Sequence, residues 1–431
     1  MLRYICLYTL LFFQLFFFSQ VHSQVLRHSF DESGQTYIQA SIRGQFWTRY
    51  IQMNPRTTIN NEFVDEAFDI SIRRIRMGFL AQVTPNLMVY ALFGDNNINA
   101  RSEKSIEFKV LDFNVEYSFS EQCAVGIGET GWTGLSRWNV RSSRTMMSLD
   151  APLFAMLTVG KNDNLGRSLG IWTKGQIGKF DYVVALKQPA DYGVEARDGV
   201  VDYALNQERL STSAYVKYEF FDNESNKTAY SGGAGTYLGA KKILNFGSGF
   251  LFQPKMTSSL VNSETQYYDF KNWAAEFFYD APRKRKNAQS ITAYLGFFKT
   301  YFGPEYIRNL GANDYTATGS TFNGSGNDFP MMGTGQTLFM QLGYLWQTKL
   351  SFRDRSIGIQ PNVAWQSSSF DALAQQMNTF DFGINGYFDG HSNKLSLNYQ
   401  QRPIYEEEGD LGLVVTDHKG MWVLQYQIEI N

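Results

Sequence analysis

The sequence predicts an all-β protein, a transmembrane antiparallel β-barrel of about sixteen strands, with eighteen as the alternative. Three observations lead there. The chain opens on an export signal, the rest alternates apolar and polar residues at every second position, and the connections between those stretches alternate in length.

The export signal comes first along the chain. Arg3 supplies the positive start, residues 4–18 form an apolar stretch interrupted only by Thr9 and Gln14, and Val21-His22-Ser23 supplies a cleavage site before Gln24. This is the layout of a secretory signal peptide, so residues 1–23 are expected to be removed. The run is short for a membrane span. Cys6 leaves with it, and Cys123 alone cannot form an internal disulfide. Residues 24–36 are expected to be a short periplasmic segment and residues 37–431 the barrel.

Composition excludes several classes. Phe 35, Tyr 25 and Trp 8 give 16% aromatic residues, too many for a disordered chain. Lys+Arg 39 against Asp+Glu 41 leaves −2, with no basic surplus to suggest a nucleic-acid partner. Mean hydropathy is −0.30, and no apolar run beyond the N-terminus approaches the roughly 20 residues of a membrane helix.

Period-2 alternation runs through the mature chain. Leu424, Tyr426, Ile428 and Ile430 fall opposite Gln425, Gln427 and Glu429. Leu338, Met340, Leu342, Tyr344 and Trp346 share one face, as do Leu210, Thr212, Ala214, Val216, Tyr218 and Phe220. A soluble β-sandwich would show the same alternation. The export signal, the connection lengths and aromatics near strand ends (Trp47, Tyr50, Tyr90, Trp172, Tyr182, Tyr279, Tyr301) favour a barrel with lipid outside and water inside.

Strands are expected at 37–50, 67–83, 86–94, 105–119, 122–129, 166–177, 179–189, 209–221, 236–253, 267–280, 287–301, 336–349, 356–369, 378–389, 392–401 and 417–431. Connections after odd strands are mostly long: 51–66, 95–104, 130–165, 190–208, 254–266, 302–335, 370–377 and 402–416. Those after even strands are mostly tight, with 222–235 the exception. Short periplasmic turns and longer outer loops are the habit of bacterial barrels. Residues 68–72 and 75–83 are out of phase, as are 106–110 and 111–119, and a β-bulge would repair each. Pro361 sits inside a strand although it cannot donate to the ladder.

The stretches IRRIRMGFLAQVTPNLMVYALFGD (72–95), SRWNVRSSRTMMSLDAPLF (136–154) and NDNLGRSLGIWTKGQIGKFDYVVALKQP (162–189) resemble the bacterial phosphate-selective porin O/P family. The resemblance covers about residues 37–190 and is one of general character beyond. It implies a barrel in the outer membrane of a Gram-negative cell that passes small solutes with an anion or phosphate preference. Many outer-membrane barrels end in an aromatic residue, whereas this chain ends Ile430-Asn431.

A sixteen-stranded barrel leaves room for an aqueous channel, whose selectivity comes from charged side chains at a constriction. The connection near 130–165 is the candidate to fold inward. Arg137, Arg141, Arg144, Lys161 and Arg167 outnumber Asp150 and Asp163 by three there. Arginine suits this role because its planar fork grips phosphate or carboxylate in two places. The expected constriction set is Arg137, Arg141, Arg144, Arg167, Arg73, Arg74, Arg76 and Lys174. Arg43 and Arg49, on the polar face of the first strand, could add to the wall. The bland alternative is a salt-bridged lumen, given Glu107, Asp112 and Glu116 nearby.

Two outer stretches are acidic. Asp191, Glu195, Asp198, Asp202 and Glu208 against Arg197, and Glu406, Glu407, Glu408, Asp410 and Asp417 against Arg402, are each net −4. Solvated loops are the plain reading, divalent bridging to lipid phosphates the sharper one. No fixed ligand spacing appears, and no metal or cofactor is expected. His28, His391 and His418 form no metal or nucleophile motif, and residues 319–335 form no phosphate-cradling loop, so no catalytic residues are expected. The expected function is a passive outer-membrane porin for small anionic or polar solutes, with a non-conducting structural or surface-binding barrel as the alternative. The expected partners are those solutes and outer-membrane lipids, without nucleic acid, and a homotrimer is left open.

Overall fold

The computed structural model describes residues 26–430 apart from 103–105, 133, 141, 151, 162–165, 189–192, 206–208, 231–234, 285–288, 319–320 and 351–354. The proposed signal peptide lies outside the described residues. Sixteen strands dominate: β1 (Tyr37–Gln52), β2 (Glu66–Gln82), β3 (Leu87–Ile98), β4 (Lys109–Ser120), β5 (Cys123–Thr130), β6 (Ser168–Ile177), β7 (Phe180–Lys187) and β8 (Ser211–Glu219) form the first half. β9 (Ile243–Val261), β10 (Glu264–Lys284), β11 (Gln289–Thr300), β12 (Gly335–Leu350), β13 (Arg355–Phe370), β14 (Met377–Asp389), β15 (Asn393–Glu407) and β16 (Leu413–Ile430) form the second.

Each strand pairs antiparallel with the next, and β1 pairs with β16 from Ile42↔Ile430 to Ile51↔Met421. The sheet therefore closes on itself and leaves no open edge in the bilayer. Residues Leu26–Ser29 extend it by pairing with Tyr37–Ala40, beside the end of β16. The expected class, an antiparallel transmembrane barrel of sixteen strands, is the observed one.

The alternation sets the two faces. On β12, Met340, Leu342 and Trp346 are exposed outward, whereas Phe339, Gln341 and Leu345 are buried inward. On β16 the outward Trp422 and Ile430 alternate with buried Val423, Gln425 and Gln427. Outward apolar residues recur around the barrel and form the lipid-facing band.

Both expected bulges are present. Gln45 pairs with Arg74 and Phe46 with Ile72, so Arg73 is the extra residue, and Arg73 and Arg74 are both buried on the inner side. Leu92 pairs with Asp112 and Phe93 with Val110, which places Leu111 and Asp112 inside together. Pro361 is accommodated where the β12–β13 ladder skips from Gly343↔Asn362 to Trp346↔Ile359.

Three expectations change. Residues 254–266 are no long loop: β9 and β10 run on as a tall hairpin closed by Asn262 and Ser263, both at positive φ (52° and 66°). Two consecutive positive φ values are what a tight hairpin turn requires, and Asn tolerates them well. Residues 402–416 likewise are mostly strand, with β15 and β16 paired as far as Glu407↔Leu413. Polar strands that rise beyond the lipid band read as loops in sequence. Trp47, Tyr90 and Trp172 also leave the expected girdle and line the interior. Trp47 Nε1 donates to Gln425 Oε1 at 2.8 Å and Trp172 Nε1 to Glu116 Oε2 at 3.0 Å, so both buried indoles find acceptors on the inner wall.

The facing yields a stability test. Leu342 is 54% exposed on the lipid side. Leu342→Arg should destabilise the barrel by about 2–4 kcal/mol if it sits near the bilayer midplane, while Leu342→Phe should leave it nearly unchanged. Denaturant unfolding of the protein refolded into lipid vesicles measures both, and equal stability would place this face of β12 away from lipid.

Candidate functional site: a basic chamber under a crossing segment

Described residues of the connection 131–167 pack against inward-facing side chains of the barrel. This connection carries short 3-10 turns at Arg137–Val140, Ser143–Thr145 and Leu153–Ala155. Trp138, Met146, Leu153, Phe154 and Leu157 pack with Trp47, Phe298 and Phe339 in a buried apolar cluster. Aromatic edges meet there, with Phe154 4.9 Å from Phe298 and Trp138 5.1 Å from Tyr294.

Charge of opposite sign fixes the two parts of this segment. Asp150 receives Arg73 Nε at 2.9 Å and Nη2 at 2.5 Å on one oxygen, and Arg74 Nη2 at 2.5 Å on the other. Burial raises the Asp150 carboxyl's proton affinity, but the two guanidinium groups outweigh it and hold its pKa below the ordinary carboxylate range. Arg137 Nη2 donates to Glu224 Oε1 at 3.0 Å, its backbone N–H to Glu276 Oε1 at 2.7 Å, and its guanidinium lies 3.5 Å over the Phe278 ring. Lumen side chains then serve the segment's backbone. Lys394 donates to the Met146 carbonyl at 3.0 Å, Asn385 to Met147 at 2.7 Å and Gln427 to Arg144 at 3.1 Å. A loop inside a barrel needs such partners because it has given up water.

A second segment enters from the end of tight turns. The connection between β8 and β9 supplies Glu224, which also receives Lys217 Nζ at 3.0 Å and the Tyr237 hydroxyl at 2.6 Å. Tyr230 donates to Asp112 at 2.8 Å, and Arg167 Nε donates to Asp112 at 2.8 Å and to the Tyr230 oxygen at 3.1 Å.

Between the two segments is a cavity of about 290 Å³. Arg43, Arg74, Arg76, Arg144 and Arg167 line it, and Glu429 is the acid in its lining. Arg144 reaches Glu429 only at 3.6 Å. Arg43 donates to the Ser142 and Ser143 hydroxyls at 3.0 and 3.1 Å. Arg76 donates to the Ile75 and Asp95 carbonyls at 2.7 and 2.8 Å and to Asn96 Oδ1. Neither Arg43 nor Arg76 has a carboxylate in salt-bridge contact among the described residues. The chamber thus holds more cation than its own acids neutralise.

The expected set divides. Arg74, Arg76, Arg144 and Arg167 converge on this chamber. Arg73 faces a wider polar cavity of about 580 Å³ on the other side, beside Asp95, Asn97 and Asp314. Arg137 does not line the chamber: its guanidinium pairs with Glu224 and lies over Phe278, and its backbone N–H donates to Glu276. Lys174 pairs with Glu116 at 2.8 Å and lines a separate cavity of about 380 Å³ near the tight turns. Arg141 lies outside the described residues. Arg43 belongs to the chamber itself, and Thr228 and Tyr230 close part of it. The exceptional length of 222–235 was the signal for the latter pair, although length does not say that a turn folds inward.

No family model matches the chain, and no curated protein matches it. Solved structures do. The chain resembles OmpF of Salmonella typhi, solved in complex with daunomycin (12% identity, 90% of this chain and 98% of that one, TM-score 0.50). It also resembles Pseudomonas putida OprB in its high-pH structure (8% identity, 90% and 94%, TM-score 0.51). At such identities the likeness shows the barrel fold.

The Asp150 tether is testable. Asp150→Asn leaves two buried guanidinium groups without their carboxylate, a break that costs about 3–5 kcal/mol. Hydrogen exchange in residues 142–159 should accelerate while β12–β16 stay protected. Because the Asp150 pKa is depressed, the tether is intact above the ordinary carboxylate range and weakens as pH falls through the depressed value. Acidification should therefore mimic the variant, and unchanged exchange in both would show that the tether does not hold the segment.

Proposed function

We propose that the protein is an outer-membrane porin through which small hydrophilic solutes diffuse, with a preference for anions. The observation that carries this reading is the set of arginines Arg43, Arg74, Arg76, Arg144 and Arg167 around one lumen cavity, with Glu429 the single acid among its described lining residues. A closed barrel with an apolar outer band suits the outer membrane, and the likeness to OmpF and OprB agrees with that architecture. An anion near a guanidinium gains about 2–4 kcal/mol at 4–8 Å with an effective dielectric near 20. Salt screens more distant charges over about 8–10 Å, so the chamber outweighs the acidic outer loops. Phosphate selectivity, as in the resembled porin O/P family, is one form of this preference. On this reading the export signal is cleaved, tight turns face the periplasm, and no bond of the solute is made or broken.

A second reading rests on the apolar cluster. Trp138, Phe154, Phe298 and Phe339 occupy part of the lumen, which favours a barrel that does not conduct and serves as an anchor.

Planar-bilayer recording separates the two. Porin-sized steps with a reversal potential on the anion side are expected for the wild type in a potassium chloride gradient. Arg43→Gln with Arg76→Gln should shift that potential toward the cation side in a folded, conducting channel. Silence from folded protein would support the anchor reading, and an unshifted potential would remove the chamber as the filter.

A further inference from the structure

The chamber is longer than its arginine cluster. The inner faces of β1, β2 and β3 build its wall in registered rows. Arg43 stands beside Arg76, then Ser41 beside Gly78 and Leu92, then Gln39 beside Leu80 and Tyr90. From Arg43 to Gln39 is four residues of strand, about 13 Å at 3.3–3.4 Å per residue. Charge is confined to the first row and those above it. The lower two rows offer an amide, an aliphatic hydroxyl and a phenol between two leucines. No side-chain hydrogen bond is made by Gln39, Ser41 or Tyr90 among the described residues, so their donors and acceptors are open to a guest. Gly78 lets the side chains of the middle row sit directly against its backbone. A Cβ there would lie 2.9 Å from the Ser41 hydroxyl and 3.5 Å from Leu92.

We infer that the preferred solute is a hydroxylated organic anion of monosaccharide size, such as a sugar acid, rather than a bare inorganic ion. This rests on the reading that the chamber receives anions. A bare ion would engage the arginine row and leave the lower rows to water. A sugar acid sets its carboxylate against Arg43 and Arg76, where a guanidinium can meet it in two places. Its hydroxyls both donate and accept, as the Gln39 amide and the Ser41 and Tyr90 hydroxyls do. The apolar C–H face of its ring fits Leu80 and Leu92. The volume, about 290 Å³, lies at the small end of ligand pockets.

The test is block of single-channel current at about 0.1 M potassium chloride, where screening reaches only about 10 Å. The added solutes are glucuronate, acetate, glucose and benzoate. Acetate shares the charged head, glucose the hydroxylated body, and benzoate the head with an apolar body. Glucuronate is expected to half-block at a concentration at least tenfold below each of the other three. Gln39→Ala with Tyr90→Phe, shown folded by denaturant unfolding in lipid vesicles, should erase that advantage and leave acetate unchanged. Equal potency of glucuronate with acetate or benzoate in the wild type would overturn the inference and leave the anion reading standing. No block by any solute, with no anion preference in the reversal potential, would remove the anion reading and the inference together.

Discussion

A chain segment crosses this barrel, and its two anchors carry opposite charge. Asp150 is held by Arg73 and Arg74 on β2, while Arg137 is held by Glu224 and Glu276 across the lumen. Desolvating those ions is unfavourable, and their mutual attraction offsets the loss only where hydrogen bonds complete the geometry. Here they do, with several donors converging on Asp150 and on Glu224. The tether then decides what the lumen contains: an apolar cluster packed around the segment, a polar cavity on one side and the basic chamber on the other.

The tether depends in turn on one irregularity of the sheet. In a regular strand Arg73 and Arg74 would face opposite sides, and one guanidinium would meet lipid. The bulge opposite Gln45 and Phe46 turns both inward, so one carboxylate binds two adjacent residues of a strand. That phase change was visible in the sequence as two alternations that disagree. The pairing with Asp150 was not, because 76 positions separate Arg74 from it and no local pattern links them.

The same division runs through the whole molecule. Strand existence and facing were legible, since lipid outside and polar groups inside impose a period of two on every spanning segment. Leu342 and Gln341 fell on the sides expected. Strand height was not legible, because the β9–β10 and β15–β16 hairpins rise past the lipid band, where polar and apolar residues no longer alternate for the same reason. Nor could spacing tell an arginine that lines a cavity from one that anchors a loop. Arg137 and Arg144 are seven positions apart in one connection. Arg137 is enclosed by Glu224, Glu276 and Phe278, whereas Arg144 stands beside the chamber with Glu429 at 3.6 Å. Only tertiary contact distinguishes them.

Net charge hides this arrangement as well. The chain sums to −2, yet its charges are sorted by place. Glu116, Glu224 and Glu276 are committed to Lys174, Arg137 and hydroxyl partners, and Asp112 to Arg167 and Tyr230. In the chamber, Arg43 and Arg76 have no carboxylate in salt-bridge contact among the described residues, and they stand side by side on paired strands. Acids sit where loops and backbone are held, so the chamber keeps a local surplus of cation. A barrel can therefore be acidic overall and still present a positive interior, provided its carboxylates serve the loops before they serve the lumen.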